Sequence, residues 1–186
     1  MVRNTQMTID KYIKKEAFKC VIAGDGAVGK TSTAKRLAGN LNVNETLSMT
    51  PGIDFQSVKI QSYKPIECQI WDLGGQEQFR KFQDDFFQGA TIVIFIFTVD
   101  RYSSFMNLKS WLSLIPKNVE VSYFLLANKI DALNRVVDRQ HAIEFANANN
   151  MTYYEVSALT GKGFDEFRED LFKTIEYLYI VRKDQS

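Results

Sequence analysis

The chain has 186 residues, 23 Lys and Arg against 22 Asp and Glu, a formal net charge of +1 and 45% hydrophobic residues. That length suits one globular domain with a real core, and balanced charge spread along the chain gives no electrostatic case for nucleic acid as the main partner. The longest apolar run, Ile92 to Phe97, is too short to span a bilayer, and the N-terminus carries no apolar signal core.

In chain order, residues 1–16 read as a polar N-terminal extension. Ile9, Tyr12 and Ile13 fall at i, i+3 and i+4 beside Asp10, Lys11, Lys14 and Lys15. A frayed terminus or a turn packed on the domain is preferred there to a membrane-facing turn. Phe18 to Ala23 reads as a strand. Cys20 lies in it and Cys68 in a later strand, and both read as buried reduced thiols. The first strand runs into Gly24-Asp25-Gly26-Ala27-Val28-Gly29-Lys30-Thr31, followed by a helix that carries Ser32 and ends near Leu37. This fits G-x-x-x-x-G-K-S/T between strand and helix, the pattern of a phosphate-binding loop. Backbone N–H groups of such a loop wrap phosphates and the helix N-terminus adds partial positive charge. Lys30 can reach the β- and γ-phosphates, and Thr31 can place a hydroxyl on Mg²⁺.

Asn40 to Met49 reads as a loop ending at Thr50-Pro51-Gly52. Ile53 to Ser62 and Ile66 to Trp71 read as strands joined by a turn at Tyr63-Lys64-Pro65, and so short a connection makes them antiparallel. Asp72-Leu73-Gly74-Gly75-Gln76 follows, an acidic residue at a strand end and then two glycines, which suggests a site. Glu77 to Gln88 reads as helix, Thr91 to Val99 as a strand buried on both faces, and Ser103 to Ile115 as a helix with Phe105, Leu108, Trp111, Leu112 and Ile115 on one side, ended by Pro116. Val121 to Ala127 is another buried strand, leading into Asn128-Lys129-Ile130-Asp131. Val136 to Asn149 reads as helix, with His141 on its surface. Thr152 to Val156 is the last strand, before Ser157-Ala158-Leu159. Phe164 to Val181 is the final helix, with Phe164, Phe167, Leu171, Ile175 and Leu178 facing a core. Residues 182–186 form a short polar tail.

The alternation implies an α/β fold, a mainly parallel, doubly wound six-stranded sheet with one antiparallel strand and helices on both faces. In such sheets ligands bind beyond the carboxyl ends of the strands, where all these motifs fall.

As an ordered set, Gly24-x-x-x-x-Gly29-Lys30-Thr31, Thr50, Asp72-x-x-Gly75-Gln76, Asn128-Lys129-x-Asp131 and Ser157-Ala158 resemble the motifs of Ras-superfamily small GTPases, P-loop proteins that bind and hydrolyse GTP. The resemblance covers about Phe18 to Val181, within a G domain expected over residues 17–181. Within the superfamily the chain is most similar to Rab proteins. Thr50-Pro51-Gly52-Ile53-Asp54-Phe55 resembles their T-x-G-I/V-D-F switch I segment, Gln69-Ile70-Trp71-Asp72 their L-Q-I-W-D strand, and Phe86-Phe87-Gln88-Gly89-Ala90 their Y-Y-R-G-A. Trp71 to Gln76 is closer to the W-D-x-G-G-Q of Arf proteins, and Ser157-Ala158-Leu159 replaces the usual S-A-K. No aromatic occupies Ser32 to Met49, where Ras and Rab proteins commonly carry one over the guanine. No cysteine lies near the C-terminus and residue 2 is Val2, so neither prenylation nor N-myristoylation is expected.

The resemblance implies GTP or GDP and Mg²⁺ as ligands. Asp25, Gly26, Ala27, Val28, Gly29, Lys30, Thr31 and Ser32 would hold the phosphates, with Thr50 and the Gly75 N–H at the γ-phosphate. Thr31 and Thr50 would place hydroxyls on Mg²⁺, and Asp72 would act through a metal-bound water. Gln76 would orient the attacking water and, with Lys30 and Thr50, make up the catalytic set. Asp131 would accept from the guanine N1–H and 2-amino group, a donor pair adenine lacks. Lys129 would lie along the ring, Asn128 would tie its loop to the phosphate loop, and Ser157, Ala158 and Leu159 would complete the base site. No arginine stands between Asn40 and Met49 to act in cis, and Arg80 reads as a surface helix residue, so slow turnover accelerated by a partner is expected.

A GTPase-activating protein, an exchange factor and effectors are the implied partners. Phe55, Trp71 and Phe86 would form the effector patch or serve as ordinary core aromatics. The expected state is a cytoplasmic monomer recruited to membranes, if at all, by a partner. The competing reading is a GTP-binding interaction module with little or no hydrolysis.

Overall fold

The computed structural model describes residues 17–40, 52–62, 65–74, 84–116 and 120–184. Its elements in chain order are β1 (Ala17–Ala23), α1 (Lys30–Leu37), β2 (Ile53–Ile60), β3 (Ile66–Leu73), α2 (Asp84–Phe87), β4 (Ile92–Thr98), α3 (Tyr102–Met106), α4 (Leu108–Leu112), β5 (Ser122–Asn128), α5 (Arg139–Ala148), β6 (Met151–Glu155) and α6 (Phe164–Asp184). The strands form one six-stranded sheet in the order β2-β3-β1-β4-β5-β6. β2 runs antiparallel to β3, and every other pairing is parallel.

Period-two alternation along the central strands sends side chains to two separate cores. Cys20, Ile22, Ile94 and Phe124 pack with Leu37 of α1 and with Phe167, Leu171 and Ile175 of α6. Val21, Phe95, Phe97 and Leu125 pack on the other face with Trp111, Ala142 and Ala146. All seven residues of β4 are buried, which explains its unbroken apolar run. Fully burying one such Ile or Phe contributes roughly 1.5–3 kcal/mol. Both cysteines are buried free thiols. A hydrogen bond with Cys68, then burial, raises the pKa of Cys20.

Three helices differ in their bounds from the sequence reading. The predicted helix over Ser103 to Ile115 is interrupted at Asn107, giving α3 and α4, and α4 ends at Leu112 with turns before Pro116. The predicted helix over Val136 to Asn149 begins only at Arg139. The backbone N–H groups of Val136 and Val137 both bond to the carbonyl of Val99 instead, at 2.8 and 3.1 Å. Asp138 then caps the helix by accepting from the His141 N–H at 3.1 Å. Tertiary bonding and a good N-cap outrank the apolar pattern there. α6 continues through Arg182 to Asp184, residues read from sequence as tail, and the Arg182 guanidinium lies 4.6 Å from the Phe18 ring centroid. The N-terminal extension, the loop from residue 41 to Thr50, the turn residues Tyr63 and Lys64, and Gly75 to residue 83, including Gln76 and Arg80, lie outside the described residues.

Candidate functional site

Loops that follow β1, β5 and β6 meet the carboxyl end of β3 at one end of the sheet. Among these, the turn after β1 is the most tightly determined. Gly29 has φ +97, and a Cβ there would lie 2.2 Å from Asn128 Nδ2. Only a residue without a side chain allows both the left-handed backbone and that approach. α1 starts at the next residue, so the N–H groups of its first turn point into the loop.

Lys30 is 6% exposed, and its ammonium donates to the carbonyls of Gly24 and Asp25 at 2.9 and 2.7 Å. Burial pushes its pKa down to about 8; Asp72 and Asp25 oppose that shift and Arg101 adds to it. A cation so placed gains most from an anion entering the loop. The loop is braced from the α3–α4 side. Asn107 and Trp111 donate to the two carboxylate oxygens of Asp25 at 2.7 and 2.9 Å, and Arg101 donates to the Gly26 carbonyl at 2.6 Å. Sequence reading missed these three. The apolar period places Trp111 on a core face and says nothing of its indole N–H, and Arg101 belongs to no motif. The available signal was position, since Arg101 follows β4 at the same ligand-facing end.

Thr31 donates its hydroxyl to the carboxylate of Asp72, which is fully buried near the end of β3. The hydroxyl and carboxylate form a hard-oxygen pair that fits Mg²⁺. Among the described residues no cluster of three or more His, Cys, Asp or Glu could hold a metal.

Asn128 joins the two halves of the site. It donates to the Val28 carbonyl at 2.7 Å, and its Oδ1 accepts from the Ala158 N–H at 2.9 Å. Gly29, Ser32, Asn128, Lys129, Asp131, Ala158 and Leu159 line one cavity of about 150 Å³. Lys129 adopts φ +63, and its ammonium stands 4.0 Å from an Asp100 carboxylate oxygen. Ser157 is buried, and its hydroxyl accepts from the Thr160 N–H at 3.0 Å, closing the last loop on itself. Of the nucleotide and Mg²⁺ residues expected from sequence, Thr50, Gly75 and Gln76 lie outside the described residues; the others lie in the loops after β1, β5 and β6, in the first turn of α1 and near the end of β3.

Away from the loops, Phe55 is 56% exposed on β2. Its ring meets Trp71 edge-on at 4.8 Å, and the Lys19 ammonium sits 3.7 Å from the Trp71 ring centroid. Phe86 and Trp71 are half-buried against the core. Phe55 is thus a surface aromatic, and the other two each serve both core and surface.

A family model described as "Ras family" matches residues 19–177. The chain is 34% identical to the Ras-related protein Rab-33A of Mus musculus, over 81% of this chain and 66% of that protein. It is 34% identical to the Ras-related protein Rab-13 of Rattus norvegicus, over 85% and 79% of the respective chains. Against the Ras-related protein Rab-2B of Dictyostelium discoideum it is 34% identical over 86% and 82%. With the strand order and the phosphate-loop geometry, these matches establish that the chain belongs to the Ras family and is a Rab-like small GTP-binding protein.

Proposed function

We propose that this protein is a GTP-operated switch that hydrolyses GTP slowly on its own and faster with a partner. The observation that carries the reading is Asn128, whose single side chain binds the phosphate loop at Val28 and the base loop at Ala158. A side chain so placed couples recognition of a base to recognition of its phosphates. Asp131 at the cavity selects guanine, because adenine would leave its carboxylate without donors. Lys30 and the first turn of α1 hold the terminal phosphates. Thr31, with Asp72 behind it, holds Mg²⁺ together with Thr50; the ion when bound neutralises phosphate charge. Gln76 orients water, and Thr50 and the Gly75 N–H read the γ-phosphate. The output is a change of protein surface, with Phe55, Trp71 and Phe86 as the patch an effector reads, in a membrane-trafficking type of role. Among the described residues no helix is long and apolar enough to cross a membrane.

Single-turnover hydrolysis of GTP with Mg²⁺, compared with Gln76→Leu, tests the catalytic half. Slow turnover that falls about tenfold or more in the variant is the expected result. Tight GTP binding with no turnover in either protein would replace the switch by a GTP-binding interaction module. Competition by ATP at concentrations comparable to GTP would overturn the assignment of Asp131.

A further inference from the structure

The base cavity has a conspicuous chemistry. Among its described lining residues none is aromatic, and those with apolar groups to offer a planar ring are Lys129 through its stem, Ala158 and Leu159. Leu159 is 54% exposed, so nothing in the core holds its side chain. Its backbone, however, is gripped. The Arg36 guanidinium, in the last turn of α1, donates from Nε to the Ala158 carbonyl and from Nη2 to the Leu159 carbonyl, both at 2.8 Å. The same guanidinium lies 5.7 Å from the Phe164 ring centroid. A Cβ on Gly161 would come within 2.9 Å of Arg36 Nη1, so the loop passes close beneath it. A planar fork that meets two successive carbonyls fixes a loop in a way a lysine's point charge does not.

α1 therefore has a task at each end. Lys30 and Thr31 at its start face the phosphates, and Arg36 near its end holds the loop that walls the base. We propose that Arg36 is a positioning residue that sets Leu159 as the apolar cover of the base, and that this clamp governs how long the nucleotide stays bound. The inference rests on the guanine-nucleotide reading above. A leucine whose backbone is pinned loses little freedom when it covers a ring, so the contact contributes to residence time. An unpinned one would pay that ordering cost on binding.

The test is stopped-flow release of fluorescent GDP, with Mg²⁺, from wild type, Arg36→Ala, Arg36→Lys, Leu159→Ala and the Arg36→Ala/Leu159→Ala pair. Affinity for inorganic pyrophosphate is measured in the same proteins by competition. Release about tenfold faster in both single alanine variants is expected, because changes in such contacts act mainly on dissociation. Arg36→Lys should release nearly as fast as Arg36→Ala. The double variant should be no more than about twofold faster than either single variant, since both remove one device. Pyrophosphate affinity should stay near the wild-type value, because the phosphate loop is untouched. Wild-type release from Leu159→Ala would overturn the inference, and that exposed position gives an answer even if Arg36→Ala folds poorly. Equal loss of GDP and pyrophosphate would overturn it too, by reducing Arg36 to general stability. If wild type holds pyrophosphate as tightly as GDP, the guanine reading itself fails and the clamp falls with it.

Discussion

Trp111 carries two roles in one side chain. Its ring is 1% exposed in the core between β4 and the helices, and its indole N–H donates to Asp25 in the phosphate loop. Hydrogen bonds to a charged partner are worth more than neutral ones, on the order of 1.5–3 kcal/mol. Trp111→Phe keeps an aromatic core but removes that donor, while the Asn107 bond to Asp25 stays. We expect thermal denaturation to show a loss of about 1–3 kcal/mol. GDP release should quicken while the preference for guanine over adenine stays unchanged. A change in base preference would contradict the assignment of Trp111 to the phosphate half alone. The apolar period put Trp111 in the core correctly. The polar atom of its ring went unread because periodicity registers which face a residue occupies, not what its edge touches.

At the scale of elements, what matters is how loops are held against strand ends. Gly163 opens α6 with φ +70, and a Cβ there would lie 2.1 Å from the Glu155 carbonyl at the end of β6. An L side chain in that region costs roughly 1–2 kcal/mol before any clash. Displacing a backbone carbonyl adds about 1–3 kcal/mol more. Gly163→Ala should therefore lower Tm by roughly 5–15 °C in a chain of this length, as read by circular dichroism. A Tm within 2 °C of wild type would show that the α6–β6 junction yields at about the cost of a surface change. The same scale explains the late start of α5. Val136 and Val137 follow a helical pattern in sequence, yet β4's end captures their N–H groups through Val99. No local signal announces a partner that distant along the chain.

For the whole molecule, the order β2-β3-β1-β4-β5-β6 places β1 where the chain's direction of winding reverses. Connections that diverge from that point leave a crevice at the strand ends, which is where a nucleotide enters. The site's halves are contributed by loops a hundred residues apart, as Asn128 and Val28 are, so ligand and fold stabilise each other. GDP with Mg²⁺ at about 1,000 times Kd should add about 4 kcal/mol. For a chain of this size that is a rise in Tm of roughly 8–16 °C. Chelating the ion should return part of that rise, because on the proposed reading Thr31 and Asp72 then hold no cation against the phosphates. A Tm that ignores GDP would mean the loops do not bind it as one unit.

The order of elements, the buried strands and the phosphate and base motifs are legible in the chain itself. Each rests on a short-range cause: the two-residue period of a strand, a glycine that alone tolerates its backbone, the close spacing of Asn128, Lys129 and Asp131 after β5. Tertiary structure alone decided that Arg36 grips Ala158 and Leu159, that Arg101 and Trp111 brace the phosphate loop, and that α5 yields its first turn to Val99. Those contacts join residues remote in sequence through single donors and acceptors. A pattern along the chain cannot encode them; only the packing of β4, β5 and β6 beside β1 brings the partners within 3 Å or so of each other.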